Sequence, residues 1–381
     1  MRITIVMGYF LPVPAVAGGA TEKIWPRLGE LMAAAGHEVT IISRRWPGLA
    51  NHERKSGVNH VRLHGWNHTR FLAANLLLDF RWGRKVLRHL PAGEIVVCNT
   101  VTLPVYLRRL KRDAGKVAVV LGRMPKGQNR WYGGTDLILP TSTAVAEKAL
   151  RENPALASRL FQFPNPMDWN LHRAAGLSRR DDSTLEIGYI GRIHPEKGLE
   201  AMLEAGVILA RETGLPDWKI RLVGPFSIPQ GGGGESYRDG LIDRFKGRLG
   251  GRLSVEGPVF DPGRLAEIYG ALHIFCYPSR AAKGEGLSIA PIEAMAAGAV
   301  PVVSRLDCYR DLIRDGHNGF QFDQESPDSA AQLASIFQRL LREAKMRNQV
   351  SESAQQTARR FDYSETCRLL LGRFDTLVRA A

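Results

Sequence analysis

Four charged side chains in two short stretches have the types and spacing to share one ligand. Gly284-Glu-Gly-Leu-Ser-Ile-Ala-Pro-Ile-Glu-Ala-Met-Ala-Ala-Gly298 carries two acids, Glu285 and Glu293, with seven residues between them. Gly191-Arg-Ile-His-Pro-Glu-Lys-Gly198 carries Arg192 and Lys197 five positions apart, bounded by glycines. An ionised carboxylate only accepts hydrogen bonds, which suits the hydroxyls of a ligand. A guanidinium and an ammonium together suit a diphosphate. The first stretch reads as a loop turning into a helix. Ser288 is placed to cap it, Pro291 is tolerated only in a first turn, and Gly298 stops it. A helix N-terminus beside Glu285 can face an anion. Taken alone, either stretch is also compatible with solvated charges on a turn.

Residues 285–302 nearly complete a longer pattern, Glu-Gly-Phe/Leu-x-x-x-x-x-Glu-Ala-Met-Ala-x-Gly-x-Pro-Val. In this the chain resembles the retaining glycosyltransferases of family 4. The Gly-Arg-x-x-x-x-Lys-Gly stretch, about 90 residues earlier, resembles that family's second motif. The resemblance implies an α/β protein of the GT-B fold, with two doubly wound Rossmann-like domains facing a cleft and a C-terminal helix crossing back to the first. It implies transfer of a sugar, with retention, from a UDP- or GDP-linked donor to a hydroxyl acceptor. Bacterial cell-surface polysaccharide, lipopolysaccharide or glycolipid synthesis is the expected setting. Glu285, Arg192 and Lys197 would be the catalytic set. Arg192 and Lys197 would grip the diphosphate, Glu285 the donor sugar and Glu293 the ribose, with Gly286, Leu287 and Ser288 lining the helix start. Gly18-Gly19 would lie near the donor phosphates. Gly224, Pro258 and Val259 would complete the donor side, the backbone around 253–260 meeting the base. Family members often carry a histidine near residues 122–130, and this chain has none there. Arg123 is the nearest polar candidate, with Lys126 and Asn165 also on the acceptor or sugar side. Two alternatives share the fold: a nucleotide-sugar isomerase or hydrolase, and a non-catalytic partner subunit.

The elements that must position these residues follow from hydrophobic period. Residues 2–8 form a strand, Ala20 to Ala35 a helix through Ile24, Leu28, Leu31 and Met32, and Val39 to Ser43 the next strand. A strand, a glycine loop, a helix and a strand make the unit of a doubly wound parallel sheet. Glu94 to Asn99, Lys116 to Leu121 and Asp136 to Pro140 extend it, and Thr141-Ser-Thr143 opens a helix. His37 stands at a helix end as a structural residue. A first domain is expected over 1–168 and a polar, non-periodic linker over 169–184. A second domain follows over 185–360, and a helix over 361–381 returns to the first. In the second domain, strands are expected at Leu185 to Ile190, Lys219 to Val223 and Ile274 to Ser279, with a short helix at Leu265 to Tyr269. The Gly231–Gly234 run lacks Gly-Lys-Ser/Thr and reads as a mobile loop. Lys283 adds positive charge beside Glu285.

Composition sets outer bounds. The chain has 381 residues, enough for two cores, with 44% hydrophobic and 24% charged residues. No apolar run approaches a membrane span, and the N-terminal apolar stretch is too short for a signal peptide. The four cysteines have no paired spacing, so no zinc site or disulfide framework is expected and a reducing cytoplasm is. The net charge of +14 calls for an anionic partner. Neither zinc-finger spacing nor an RNA-binding aromatic signature is present, which argues against nucleic acid. Residues 71–90 mix bulky apolar and basic residues, and 107–112 add a basic cluster. They are either a packed helix with a solvated basic face or a docking surface for anionic lipid on the inner face of the membrane. No Asp-x-Asp metal motif is evident, and two cations can replace a metal. No cofactor and no essential divalent ion are therefore expected.

Overall fold

Runs of Ile and Val, apolar on both faces, build two mainly parallel sheets whose central strands are buried between helices. The structure is a computed structural model that describes residues 1–178, 183–282 and 284–380. It divides into one unit of Met1–Pro166 with Tyr363–Ala381, and a second of Met167–Asp362.

The first unit runs β1 (Arg2–Val6), α1 (Ala20–Ala34), β2 (Glu38–Arg44), β3 (His52–Lys55), β4 (Val58–Leu63), α2 (Leu72–Leu87), β5 (Ile95–Cys98), α3 (Leu103–Leu110), β6 (Lys116–Leu121), β7 (Leu137–Pro140) and α4 (Thr143–Glu152). Its sheet has the order β3-β4-β2-β1-β5-β6-β7. Ile3 sits in register with Val39 on one side and Ile95 on the other. The β3–β4 hairpin is antiparallel and was not evident in the sequence. Its outer strand, His-Glu-Arg-Lys, is short, charged and largely exposed, which protects a sheet edge.

The second unit runs α5 (Trp169–Leu177), β8 (Thr184–Ile190), α6 (Leu199–Leu209), β9 (Asp217–Val223), α7 (Glu235–Leu249), β10 (Leu253–Glu256), α8 (Pro262–Ala271), β11 (Ile274–Tyr277), α9 (Ile289–Ala296), β12 (Val300–Ser304), β13 (Phe320–Phe322), α10 (Ser329–Arg342) and α11 (Ala344–Ala358). Its sheet is parallel throughout, in the order β10-β9-β8-β11-β12-β13. The last helix, α12 (Tyr363–Arg379), belongs to the first unit and packs on α1.

The expected linker over 169–184 is corrected. Asp168 caps a helix there, its carboxylate accepting from the Leu171 N–H at 3.0 Å. The second unit begins at Met167 and takes in α5, which packs on α8 and α9. Close backbone approach allows this: a Cβ on Gly176 would lie 2.1 Å from the Ala297 carbonyl oxygen. The helix was hard to read because His172 is its one buried residue, so its apolar residues follow no helical period. Residues 179–182 of that stretch, and Lys283, lie outside the described residues. No helix among the described residues is long and apolar enough to cross a membrane.

Candidate functional site

β8 and β11 are neighbours in the second sheet, although β9 and β10 separate them in sequence. The chain leaves β8 toward one edge and returns to β11 on the other side. Such a reversal opens a crevice beyond the C-terminal strand ends, where doubly wound sheets hold ligands. Both motifs emerge there, residues 191–198 after β8 and residues 278–288 after β11. The loops are tied together, the Arg280 N–H donating to the Glu196 carbonyl at 2.9 Å.

Lys197 and Glu285 meet in this crevice as an ion pair. Both are nearly sealed from water, with side chains 6% and 11% exposed. Glu285 is further held on both oxygens. Oε1 accepts from Ser279 Oγ at 3.1 Å and lies 3.4 Å from the Tyr277 hydroxyl, while Oε2 accepts from Ser288 Oγ at 2.7 Å. Burial pushes the Glu285 carboxyl upward, but the Lys197 ammonium and the hydrogen bonds from Lys197, Ser288 and Ser279 outweigh it and leave its pKa below the usual value. Burial likewise opposes the Lys197 charge. Tyr277 and Glu285 outweigh that too, and the ammonium is held above its usual pKa. Lys197 Nζ also lies 5.2 Å from the centre of the Tyr277 ring. Glu285 is thus an ionised, oriented acceptor rather than a solvated loop acid.

Arg192 stands differently. Its Nη1 donates to the Gly231 carbonyl at 2.7 Å and its Nη2 to Glu196. The side chain is 39% exposed. Glu196 links the two cations, since Lys197 Nζ is 3.9 Å from its Oε1. The glycine run, expected as a mobile loop, is hydrogen-bonded to its neighbours in the structure. Gly233 N–H donates to the Ile193 carbonyl at 2.9 Å, and Gly234 N–H to the Phe226 carbonyl at 2.7 Å. His194 is a loop residue that caps a short turn, its Nδ1 accepting from the Glu196 N–H at 3.2 Å.

Ser288 occupies the N-cap of α9, yet its hydroxyl makes no cap hydrogen bond and turns instead to Glu285 and Tyr277. The first turn of α9 therefore receives no cap from the Ser288 side chain. Gly286 and Leu287 precede this helix in the loop after β11, with Leu287 in the core. Glu293 is deeper, 2% exposed, with Oε1 3.6 Å from His172 Nε2. The two acids thus have separate partner sets. Gly224 ends β9, where only glycine fits: a Cβ would lie 1.9 Å from the Gly191 carbonyl oxygen. Pro258 and Val259 follow β10, half-buried.

The remaining candidates belong to the first unit. Gly18 and Gly19 precede α1 with φ of 82° and 103°, the left-handed region. Arg123 and Lys126 are exposed in the loop after β6, and Asn165 lies near the unit's end. Sequence reasoning missed Glu22, which reads as an ordinary first-turn acid. It is 5% exposed, and its Oε2 packs where a Cβ on Gly19 would come, at 2.2 Å. Burial raises its pKa to about 7, moderated by its own backbone N–H and by Arg123. A carboxyl raised in the folded state favours folding fully below its unfolded value, and that advantage is lost as pH rises through about 7. Glu22→Gln should therefore raise the melting temperature relative to wild type at pH 8.5 and change it little at pH 5. Equal effects at both values would contradict the buried-acid assignment.

Residues 177–357 match the model of the family described as Glycosyl transferases group 1. The Phosphatidyl-myo-inositol mannosyltransferase of Mycobacterium tuberculosis is 29% identical over 241 residues, covering 61% of this chain. That match spans 59% of the relative's length. The structure resembles sucrose-phosphate synthase from Thermosynechococcus elongatus with a TM-score of 0.79 at 19% identity, covering 100% of both chains. It also resembles Anabaena HepE in complex with UDP and glucose, with a TM-score of 0.69 at 16% identity over 99% of this chain and 100% of that one. Likeness at such identities speaks for the fold. The chain has the two Rossmann-like units of the GT-B fold, and the residues that match the glycosyl transferases group 1 model lie in the second.

Proposed function

We propose that the chain is a retaining glycosyltransferase of family 4 that moves a hexose from a UDP- or GDP-linked donor to a hydroxyl of a lipid-linked acceptor. The observation that carries this reading is the buried Lys197–Glu285 pair at the switch point of a glycosyl transferases group 1 domain. As the sugar–phosphate bond breaks, charge builds on the β-phosphate. Lys197, Arg192 and the first turn of α9, which the Ser288 hydroxyl does not cap, are preorganised positive groups for that charge. Glu285, ionised and held by Ser279 and Ser288, accepts hydrogen bonds from the donor sugar. The β-phosphate itself takes the acceptor proton, which gives retention without an enzyme nucleophile. Two cations supply the charge a divalent ion would, so activity should survive EDTA.

The test is stabilisation by UDP and GDP in the presence of EDTA. A bound nucleotide at about 100 times its Kd adds roughly 2.7 kcal/mol. If neither UDP nor GDP shifts the melting temperature, the reading fails. Release of free sugar without any acceptor would favour a hydrolase.

The acceptor class rests on the first unit's surface and on the phosphatidyl-myo-inositol in the name of the mycobacterial relative. α2 buries Asn75, Asp79, Trp82, Gly83 and Val86, and the opposite face is apolar where water should be. Phe71 is 59% exposed, Leu72 67%, Leu77 51% and Phe80 44%. Arg70, Arg81, Arg84 and Arg88 are exposed beside them. An apolar stripe flanked by arginines suits the interface of an anionic bilayer at the cytoplasmic face. Replacing Phe71, Leu72, Leu77 and Phe80 with serine should cut co-sedimentation with phosphatidylglycerol vesicles several-fold at low salt. Unchanged binding would refute the docking face.

A further inference from the structure

Glu293 does not stand alone in the second unit. Its carboxylate is boxed by two side chains from other helices. His172 comes from α5, is 2% exposed, and brings Nε2 to 3.6 Å from Glu293 Oε1. Tyr269 comes from α8, is fully buried, and is hydrogen-bonded through its hydroxyl to Glu293. The imidazole meets the Tyr269 ring edge-on, with centroids 5.4 Å apart and planes at 75°. The three groups therefore form one closed contact, in which fixing any two fixes the third.

The box is costly, which argues that it has a task. Among the described residues His172 Nδ1 is buried with no hydrogen-bond partner, and an orphaned buried polar atom is normally avoided. A leucine or phenylalanine at 172 would pack the α5–α8 contact without that penalty. The contact is also made at backbone range, because a Cβ on Gly270 would lie 2.5 Å from the Ala175 carbonyl oxygen. α5 is thus seated firmly, and the imidazole with it. What the histidine adds over an apolar ring is a nitrogen aimed at one carboxylate oxygen.

We infer that His172 and Tyr269 are positioning residues that hold the Glu293 carboxylate in the orientation needed to accept the two ribose hydroxyls of a nucleoside diphosphate. This rests on the donor reading above, which gives Glu293 its ribose. A carboxylate can accept both hydroxyls at once only if its plane is fixed, and a free Glu side chain would lose that fixation on every rotation about its last bond. His172 and Tyr269 touch no donor atom themselves. They act through Glu293.

The test compares UDP and GDP with their 2′,3′-dideoxy counterparts, which lack the hydroxyls. Binding is measured by titration calorimetry for wild type, His172→Phe, Tyr269→Phe, His172→Gln and Glu293→Gln. His172→Phe keeps the ring and removes both nitrogens, and Tyr269→Phe removes a single hydroxyl. Each should weaken the ribonucleotide by about fivefold or more and leave the dideoxynucleotide nearly unchanged. His172→Gln, which keeps an N–H donor, should recover much of the loss. Equal weakening of both ligands would mean general damage to the unit and overturns the inference. Tyr269→Phe serves if His172→Phe folds poorly. The failures are separable. If Glu293→Gln also fails to discriminate the two ligands, the ribose role of Glu293 is wrong. If it discriminates and the His172 and Tyr269 variants do not, the positioning role alone is wrong.

Discussion

Lys197→Ala should lower kcat for sugar transfer by about a hundredfold to a thousandfold, the usual cost of removing one preorganised group from a developing oxyanion. The ammonium sits in a nearly dry crevice, where its field on a phosphate is screened far less than in water. Its removal also leaves Glu285 without its cation, so the carboxylate's pKa rises and the remaining negative charge repels the donor. Arg192→Ala should cost less, about tenfold to a hundredfold, because that guanidinium is half in solvent and already spends hydrogen bonds on Glu196 and Gly231. Glu285→Ala should fall with Lys197→Ala. Steady-state kinetics with a saturating acceptor checks the order. A loss below about tenfold for Lys197 or Glu285, roughly 1.4 kcal/mol, would remove them from the transition state.

The second large effect is on stability. Taking one member out of a buried ion pair strands the other, at a typical cost of about 3–5 kcal/mol. Lys197→Met and Glu285→Gln should each lower the melting temperature of the second unit substantially. The double variant should be more stable than the sum of the two losses implies, since no uncompensated charge remains. The pH dependence follows from the directions. Glu285 is depressed, so its contribution is present above its unfolded pKa and is lost as pH falls through the folded one. Lys197 is raised, so its contribution is present at neutral pH and is lost only as pH climbs above its ordinary range. Wild type should therefore lose more stability than the double variant between pH 5 and pH 3. Additive losses and parallel acid profiles would show that the pair is not coupled.

What the sequence revealed follows the distance over which each signal acts. Strand runs such as Lys116–Leu121 are set by their own composition, and Gly298 marks the end of α9 through its backbone alone. The approach of Lys197 and Glu285, 88 residues apart, could be anticipated because each lies in a short pattern that resembles a family motif. Features that depend on unpatterned neighbours were hidden. Glu22 looks like any first-turn acid, and only packing against the Gly19 turn makes it a buried one. His172 lay in a stretch read as a linker, because one buried position in a short helix produces no period. Ser288 was correctly placed at a helix start, but its hydroxyl serves a carboxylate rather than the helix, a choice made by Tyr277 and Glu285. Arg192 and Lys197 look equivalent in the motif, and Glu196 between them separates their environments.

The central claim is that Lys197 and Glu285 mark the place where a nucleotide sugar is held by its diphosphate. The most direct measurement is a crystal structure of the protein with UDP or GDP bound. The account predicts the β-phosphate within hydrogen-bond reach of Lys197 Nζ and of the first N–H groups of α9, with the ribose at Glu293. A nucleotide bound elsewhere on the chain, with the Lys197–Glu285 pair undisturbed, would contradict it.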